Sequence, residues 1–136
     1  MVVGDYKTVK PVGRQHFMSL FQKQNIVLHS GKQSDFKIEC DDLTFADVET
    51  LCYLISKRFK FSSVFGVPNG GLKFAQELRQ YRNGISNPTL VVDDVLTTGN
   101  SMNEFVEINN IKNPIGVVIF ARGKCPDWVI PIFQMW

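Results

Sequence analysis

Residues Val91 to Ser101 read V-V-D-D-V-L-T-T-G-N-S, an apolar strand running into two carboxylates and then into a Thr-Thr-Gly turn that opens a helix. Such a turn points several unpaired N–H groups and hydroxyls into one small volume. The helix N-terminus adds positive potential, so that volume suits a phosphate. Asp93 and Asp94 beside it have other capacities: they can accept hydrogen bonds from sugar hydroxyls, hold hydrated Mg²⁺, or face a developing positive charge. A phosphate on one side and a sugar with its metal on the other describe a ribose 5-phosphate. An acidic pair after a strand is by itself commonly a turn or a helix cap. The order of all three parts, at the end of a strand–helix unit, is what carries the reading.

Outward from this segment the chain alternates short strands and helices. Arg14 to Lys23 places Phe17, Leu20 and Phe21 at helical spacing after the breakers Pro11 and Gly13. Ile26 to Leu28 reads as a strand, Ser30-Gly31 as a turn, and Phe36, Ile38 and Cys40 alternate with charged residues as a half-buried partner strand. From Asp47, the apolar residues Val48, Leu51, Cys52, Ile55 and Phe59 recur at three- and four-residue steps, and Thr44 stands where a capping box needs it.

Three strand–helix units are then expected. Val64 to Val67 leads through Pro68-Asn69-Gly70-Gly71 to a helix carrying Leu72, Phe74, Ala75 and Leu78. Thr89 to Val92 leads through the acidic pair to a helix carrying Met102, Phe105 and Val106. Ile115 to Phe120 is a continuous apolar run, as expected of a strand covered on both faces. The alternation predicts an α/β fold: right-handed crossovers and a parallel sheet flanked by helices, preceded by a small N-terminal hairpin or hood. Ligands of such sheets bind at the carboxyl ends of strands, at the switch point in strand order. The loops Pro68 to Gly71, Asp93 to Gly99 and Ala121 to Cys125 should therefore open onto one crevice. Trp128 to Phe133 reads as a last strand that Pro126 and Pro131 place near an edge.

At 136 residues and 44% hydrophobic the chain suits one domain, residues 1–136, with a single sizeable core. Fifteen basic against thirteen acidic residues leave a net charge of +2. That balance lacks the basic stripe of a nucleic-acid binder and gives no membrane surface. Cys40, Cys52 and Cys125 are odd in number and have no C-x-x-C pairing, which argues against a disulfide framework or zinc site and for a reducing cytoplasm. The N-terminus M-V-V-G-D-Y-K has no long apolar stretch, so a soluble chain that is not exported is expected.

The segment from Val91 to Ser101 resembles the phosphoribosyl pyrophosphate (PRPP) signature of type I phosphoribosyltransferases: apolar residues, an acidic pair, two further residues, then T-[TS]-G-x-[ST]. Gly66 to Leu78, G-V-P-N-G-G-L-K-F-A-Q-E-L, looks like that family's pyrophosphate loop. Leu28 to Glu39, L-H-S-G-K-Q-S-D-F-K-I-E, is similar to the N-terminal hairpin of orotate phosphoribosyltransferases, with Lys37 where a second aromatic is usual. The resemblance covers about residues 25 to 122 with gaps. It implies displacement of pyrophosphate from C1 of PRPP by a ring nitrogen of a nucleobase, a pyrimidine such as orotate, with Mg²⁺ bound to substrate. The alternative it leaves open is a non-catalytic PRPP or nucleotide sensor, or a regulator, on the same fold.

Carried over by position, Val95, Leu96, Thr97, Thr98, Gly99, Asn100 and Ser101 would surround the 5′-phosphate. Asp93 and Asp94 would be the catalytic carboxylates, meeting the ribose hydroxyls and, through water, the metal. Pro68, Asn69, Gly70 and Gly71 would meet the pyrophosphate, with Lys73, Arg79 and Arg82 as candidate cations. His29, Ser30, Gly31, Phe36 and Arg122 would lie on the base side. Arg122 matches the arginine of the family's D-R motif, although Ala121 replaces the aspartate, and a surface arginine at a strand end is the plainer alternative. Trp128 and Trp136 could stack on a base, or pack a sheet edge or dimer contact. One departure is large. Where the family has a long basic loop that closes over the pyrophosphate, often across a homodimer interface, this chain has only the ten residues R-Q-Y-R-N-G-I-S-N-P, Arg79 to Pro88.

Overall fold

The structure, a computed structural model, describes residues 21–27, 33–38 and 40–135, with side chains for Ile38, Cys40 and residues 42–135. Most of the expected first helix, the turn at His29, Ser30 and Gly31, the side chain of Phe36, and Trp136 lie outside what is described. Strands β1 (Phe21–Val27) and β2 (Gln33–Ile38) pair antiparallel, Phe21 opposite Ile38 and Val27 opposite Gln33, as the hairpin expected from the sequence. Phe21 to Lys23, expected to close a helix, instead belong to β1. Pairing with Ile38, Lys37 and Phe36 supplies the hydrogen bonds that local helical spacing would have supplied.

Helix α1 (Phe45–Arg58) begins where the capping box predicts: the Asp47 N–H donates to Thr44 Oγ1 at 3.1 Å and the Thr44 N–H to Asp47 Oδ2 at 2.9 Å. It buries Val48, Cys52 and Ile55 along one stripe. It ends at Arg58, with Phe59 extended. Strand β3 (Ser63–Gly66), helix α2 (Leu72–Leu78), strand β4 (Thr89–Leu96), helix α3 (Asn100–Ile108), strand β5 (Pro114–Ala121) and strand β6 (Val129–Gln134) follow. The four strands form a parallel sheet in the order β3-β4-β5-β6, with Val92 level with both Gly66 and Val117. Strand β6 is an edge, which is why Pro131 is tolerated within it.

Two expectations about connectivity are corrected. The order is strictly sequential, so the described sheet contains no switch point. What gathers the loops is simply that three parallel strands end side by side. The crossovers are also not all right-handed. Phe74, Ala75 and Leu78 of α2 pack with α1 against Leu90, Val92, Val117 and Ile119, whereas Met102, Phe105 and Val106 of α3 pack on the other face, against Val91, Val118 and Val129. Both steps, β3 to β4 and β4 to β5, cross the sheet in the same direction, so helices on opposite faces give the two crossovers opposite hands. The physical cause is the apolar stripe of α2. It completes the layer begun by α1, and the ten-residue return then leads straight into β4 with no intervening strand.

Candidate active site

Strand β4 runs further than the apolar pattern implied: Asp93 and Asp94 lie within it, not after it. Side chains alternate faces along a strand, so neighbouring carboxylates should point apart. Here the alternation breaks. Leu90 and Val92 belong to the α1/α2 layer, yet Val95 also packs there, and Leu96 has moved to the α3 layer. Phe120 and Ala121 on β5 shift in the same way beside them, keeping the register intact. This local turn of the ribbon brings the two carboxyl groups into contact.

Asp93 is the one buried polar or charged side chain among the described residues, 8% exposed. Its pKa is pushed up to about 8, first by burial, then by the hydrogen bond and charge it shares with Asp94, against a smaller lowering by the Asp94 N–H, which donates to Asp93 Oδ1 at 2.8 Å. Burial and the neighbouring carboxylate therefore favour the protonated form of Asp93 while the site holds no cation. A cation arriving at the site, or sugar hydroxyls donating hydrogen bonds to Asp93, would favour its ionised form and release that proton to solvent.

Asp94 is half-buried, and one of its oxygens accepts from the Val95 N–H at 2.7 Å. Its carboxylate rests on Gly70, where a Cβ would overlap it. The loop after β3 is thus in van der Waals contact with the acidic pair. The Val67 N–H donates to Val92 O at 2.9 Å and the Gly71 N–H to Val67 O at 2.9 Å, folding the loop back over the end of β4. Pro68 and Asn69, joined by a cis peptide bond, stand exposed at its tip.

The turn after β4 is built as the sequence predicts. Gly99 caps α3 at φ 87°, a left-handed conformation open to glycine, and the Asn103 N–H donates to Gly99 O as the first helical bond. Thr98 Oγ1 accepts from the Asn100 N–H at 3.2 Å. The amides of Ser101 and Met102, in the first turn, have no intrahelical acceptor, and no hydrogen bond among the described residues uses those of Thr98 and Gly99. Thr98, Asn100 and Ser101 are exposed. The result is an open, amide-lined turn whose neighbour is the acidic pair.

The loop after β5 closes the third side. The Arg122 N–H donates to Leu96 O at 2.8 Å, which sets Arg122 beside the Thr97 to Ser101 turn. The three post-strand loops meet as expected. The basic candidates for the pyrophosphate do not join them. Lys73 donates to Cys40 O at 2.6 Å, toward the α1 side. Arg79 and Arg82 lie away from these loops within the chain, since α2 carries it from the carboxyl end of β3 back to the amino end of β4. At about 1.5 Å per residue, Arg82 lies roughly 15 Å beyond Gly71, where the Asn83 N–H donates to Phe61 O and the Ser62 N–H to Pro88 O. Trp128 is also placed: its Nε1 donates to Asn103 Oδ1 at 2.8 Å and it packs into the α3 layer. Gly123, Pro126 and Gln134 also touch the Thr97 to Gly99 turn or the loop beside it, and only the glycine after β5 carries a local signal of this in the sequence.

No protein-family profile matches the chain, and no curated protein sequence matches it. Solved structures do. Orotate phosphoribosyltransferase from Aeropyrum pernix superposes with a TM-score of 0.66 at 21% identity over 85% of this chain and 88% of that one. The UMP synthase of Leishmania donovani gives 0.66 at 17% identity over 85% of this chain and 33% of that chain. A phosphoribosyltransferase from Corynebacterium diphtheriae gives 0.59 at 15% identity over 75% and 84%. With parallel strands, the β1/β2 hairpin and the loop constellation already in place, these likenesses make the fold of this chain that of the type I phosphoribosyltransferases, as seen in orotate phosphoribosyltransferases.

Proposed function

We propose that the chain is a phosphoribosyltransferase that transfers ribose 5-phosphate from PRPP to a nucleobase, a pyrimidine such as orotate, and releases pyrophosphate. The observation that carries this reading is the contact of Asp94 with Gly70, which joins an acidic pair, an amide-lined phosphate turn and a backbone loop in one site. In the reaction the bond from C1 to the pyrophosphate oxygen breaks with its electron pair leaving on pyrophosphate, a ring nitrogen donates the pair that forms the new C1–N bond, and the proton of that nitrogen passes to solvent. The amides of the Thr97 to Ser101 turn hold the 5′-phosphate. Asp93 and Asp94 hold the ribose hydroxyls and offset the positive charge that develops on the sugar. The Pro68 to Gly71 backbone receives the leaving group, and Arg122 borders the base.

The acidic pair suits a hard cation, offering two carboxylates side by side. Among the described residues no third carboxylate, histidine or cysteine joins them, so Asp93 and Asp94 would hold Mg²⁺ through water, its remaining ligands coming from substrate oxygens. When bound, Mg²⁺ supplies charge neutralisation at the pyrophosphate. Three free cysteines support a reducing, cytoplasmic setting. Among the described residues no helix is long and apolar enough to cross a membrane. We take the whole chain as one domain that works as a homodimer.

The position of Arg79 and Arg82 at the far end of α2 favours a second reading, a PRPP or nucleotide sensor without turnover. Titration calorimetry with PRPP, with and without Mg²⁺, paired with chromatographic detection of nucleoside monophosphate, separates the two. Binding with product formation is expected; binding without pyrophosphate release selects the sensor. Thr98→Glu sets a carboxylate against the phosphate and should abolish binding without unfolding the protein, and unchanged affinity would overturn both readings.

A further inference from the structure

The segment from Arg122 to Pro126 meets the turn after β4 at three points, Arg122, Gly123 and Pro126. The Arg122 N–H donates to Leu96 O at 2.8 Å. Gly123 lies so close to the Thr97 carbonyl that a Cβ at Gly123 would overlap the oxygen. A Cβ at Gly99 would stand 2.7 Å from both Cγ and Cδ of Pro126, so the proline ring covers the cap of α3. The segment is itself held from behind: Gln134 Nε2 donates to Gly123 O at 3.1 Å, and the Met135 N–H to Ala121 O at 2.7 Å.

From this contact set we infer that the loop after β5 is a brace for the phosphate turn, with Gly123 and Gln134 as positioning residues acting through the Thr97–Thr98 peptide. The inference rests on the phosphoribosyltransferase reading and deepens it. A planar peptide unit ties the Thr97 carbonyl oxygen to the Thr98 N–H. Gly123 therefore sets the direction of a donor that points to the phosphate without touching the ligand itself. A backbone anion site gains affinity from being ordered before its ligand arrives. Gln134, in the edge strand β6, links that order to the end of the sheet.

The test uses two probes on the intact chain, ribose 5-phosphate for the turn and pyrophosphate with Mg²⁺ for the Pro68 to Gly71 loop. Gly123→Ala should weaken ribose 5-phosphate at least tenfold and leave pyrophosphate within twofold. Gln134→Ala removes one hydrogen bond from an exposed side chain and should weaken ribose 5-phosphate severalfold with the same selectivity. It decides the matter alone if the alanine at 123 prevents folding. Ile55→Val, buried in the α1 layer, should lower the thermal midpoint and change neither affinity. Where the wild type binds ribose 5-phosphate, equal losses for both ligands in the variants, or variants with unchanged ribose 5-phosphate affinity, overturn the brace alone. A wild type that binds neither ligand overturns the brace together with the reading beneath it.

Discussion

Asp93 concentrates the chemistry of the site, and its ionisation has a measurable sign. Its folded pKa of about 8 stands well above the ordinary carboxylate value of 3.8, because of burial and then of Asp94. Between those two values the folded chain keeps a proton that the unfolded chain has released, so ligand-free stability should fall as pH rises from about 4 to 8. Differential scanning calorimetry should show a lower midpoint at pH 8 than at pH 5, and Asp93→Asn should flatten that slope. An unaltered slope in the variant would place the proton elsewhere. In kinetics, Asp94→Asn should lower kcat more than it weakens PRPP binding, since its charge counts most when the sugar becomes cationic. A change confined to KM would contradict that role.

At the scale of elements, α1 is specified by its own sequence and α3 by its surroundings. The reciprocal bonds of Thr44 and Asp47 are local, so Thr44→Ala should cost about 1 kcal/mol in denaturant unfolding, with no effect on ligand affinity. A loss near zero would show that packing of Val48, Cys52 and Ile55 alone holds the helix start. Helix α3 begins on Gly99 in a left-handed conformation beneath the Pro126 ring, and Gly99→Ala meets both obstacles. A left-handed alanine costs about 1–2 kcal/mol before any clash. Circular dichroism melts should register that loss together with weaker binding of ribose 5-phosphate, and loss of stability alone would separate the cap from the phosphate site.

For the molecule as a whole, the direction of each element relative to the sheet decides which residues can cooperate. Post-strand loops share the carboxyl end with the acidic pair, and the Arg79 to Pro88 return occupies the opposite end. Arg79→Ala and Arg82→Ala, singly and together, should leave PRPP and pyrophosphate affinity within twofold in a dilution series spanning any association of the chain. A large loss at high concentration that vanishes on dilution would instead bring these arginines to the site of a second copy.

Much of this was legible in residue order. The Thr44 cap and the stripe from Val48 to Ile55 marked α1, the apolar runs marked β3, β4 and β5, and V-V-D-D-V-L-T-T-G-N-S marked the turn of the candidate site, because each depends on neighbours a few positions away. Non-local contacts settled the rest. Phe21 to Lys23 became strand through pairing with Phe36 to Ile38, Asp93 and Asp94 met because β4 and β5 break their alternation together, and Gly123 reached Thr97 only because β5 ends beside β4. Arg79 and Arg82 stood only one short helix past the Pro68 to Gly71 loop in sequence, yet that helix carries them to the other end of the sheet. Periodicity fixes what a residue packs with along its own element, whereas the end of the sheet it occupies, and the carboxylate or carbonyl it meets there, follow from how the elements are laid side by side.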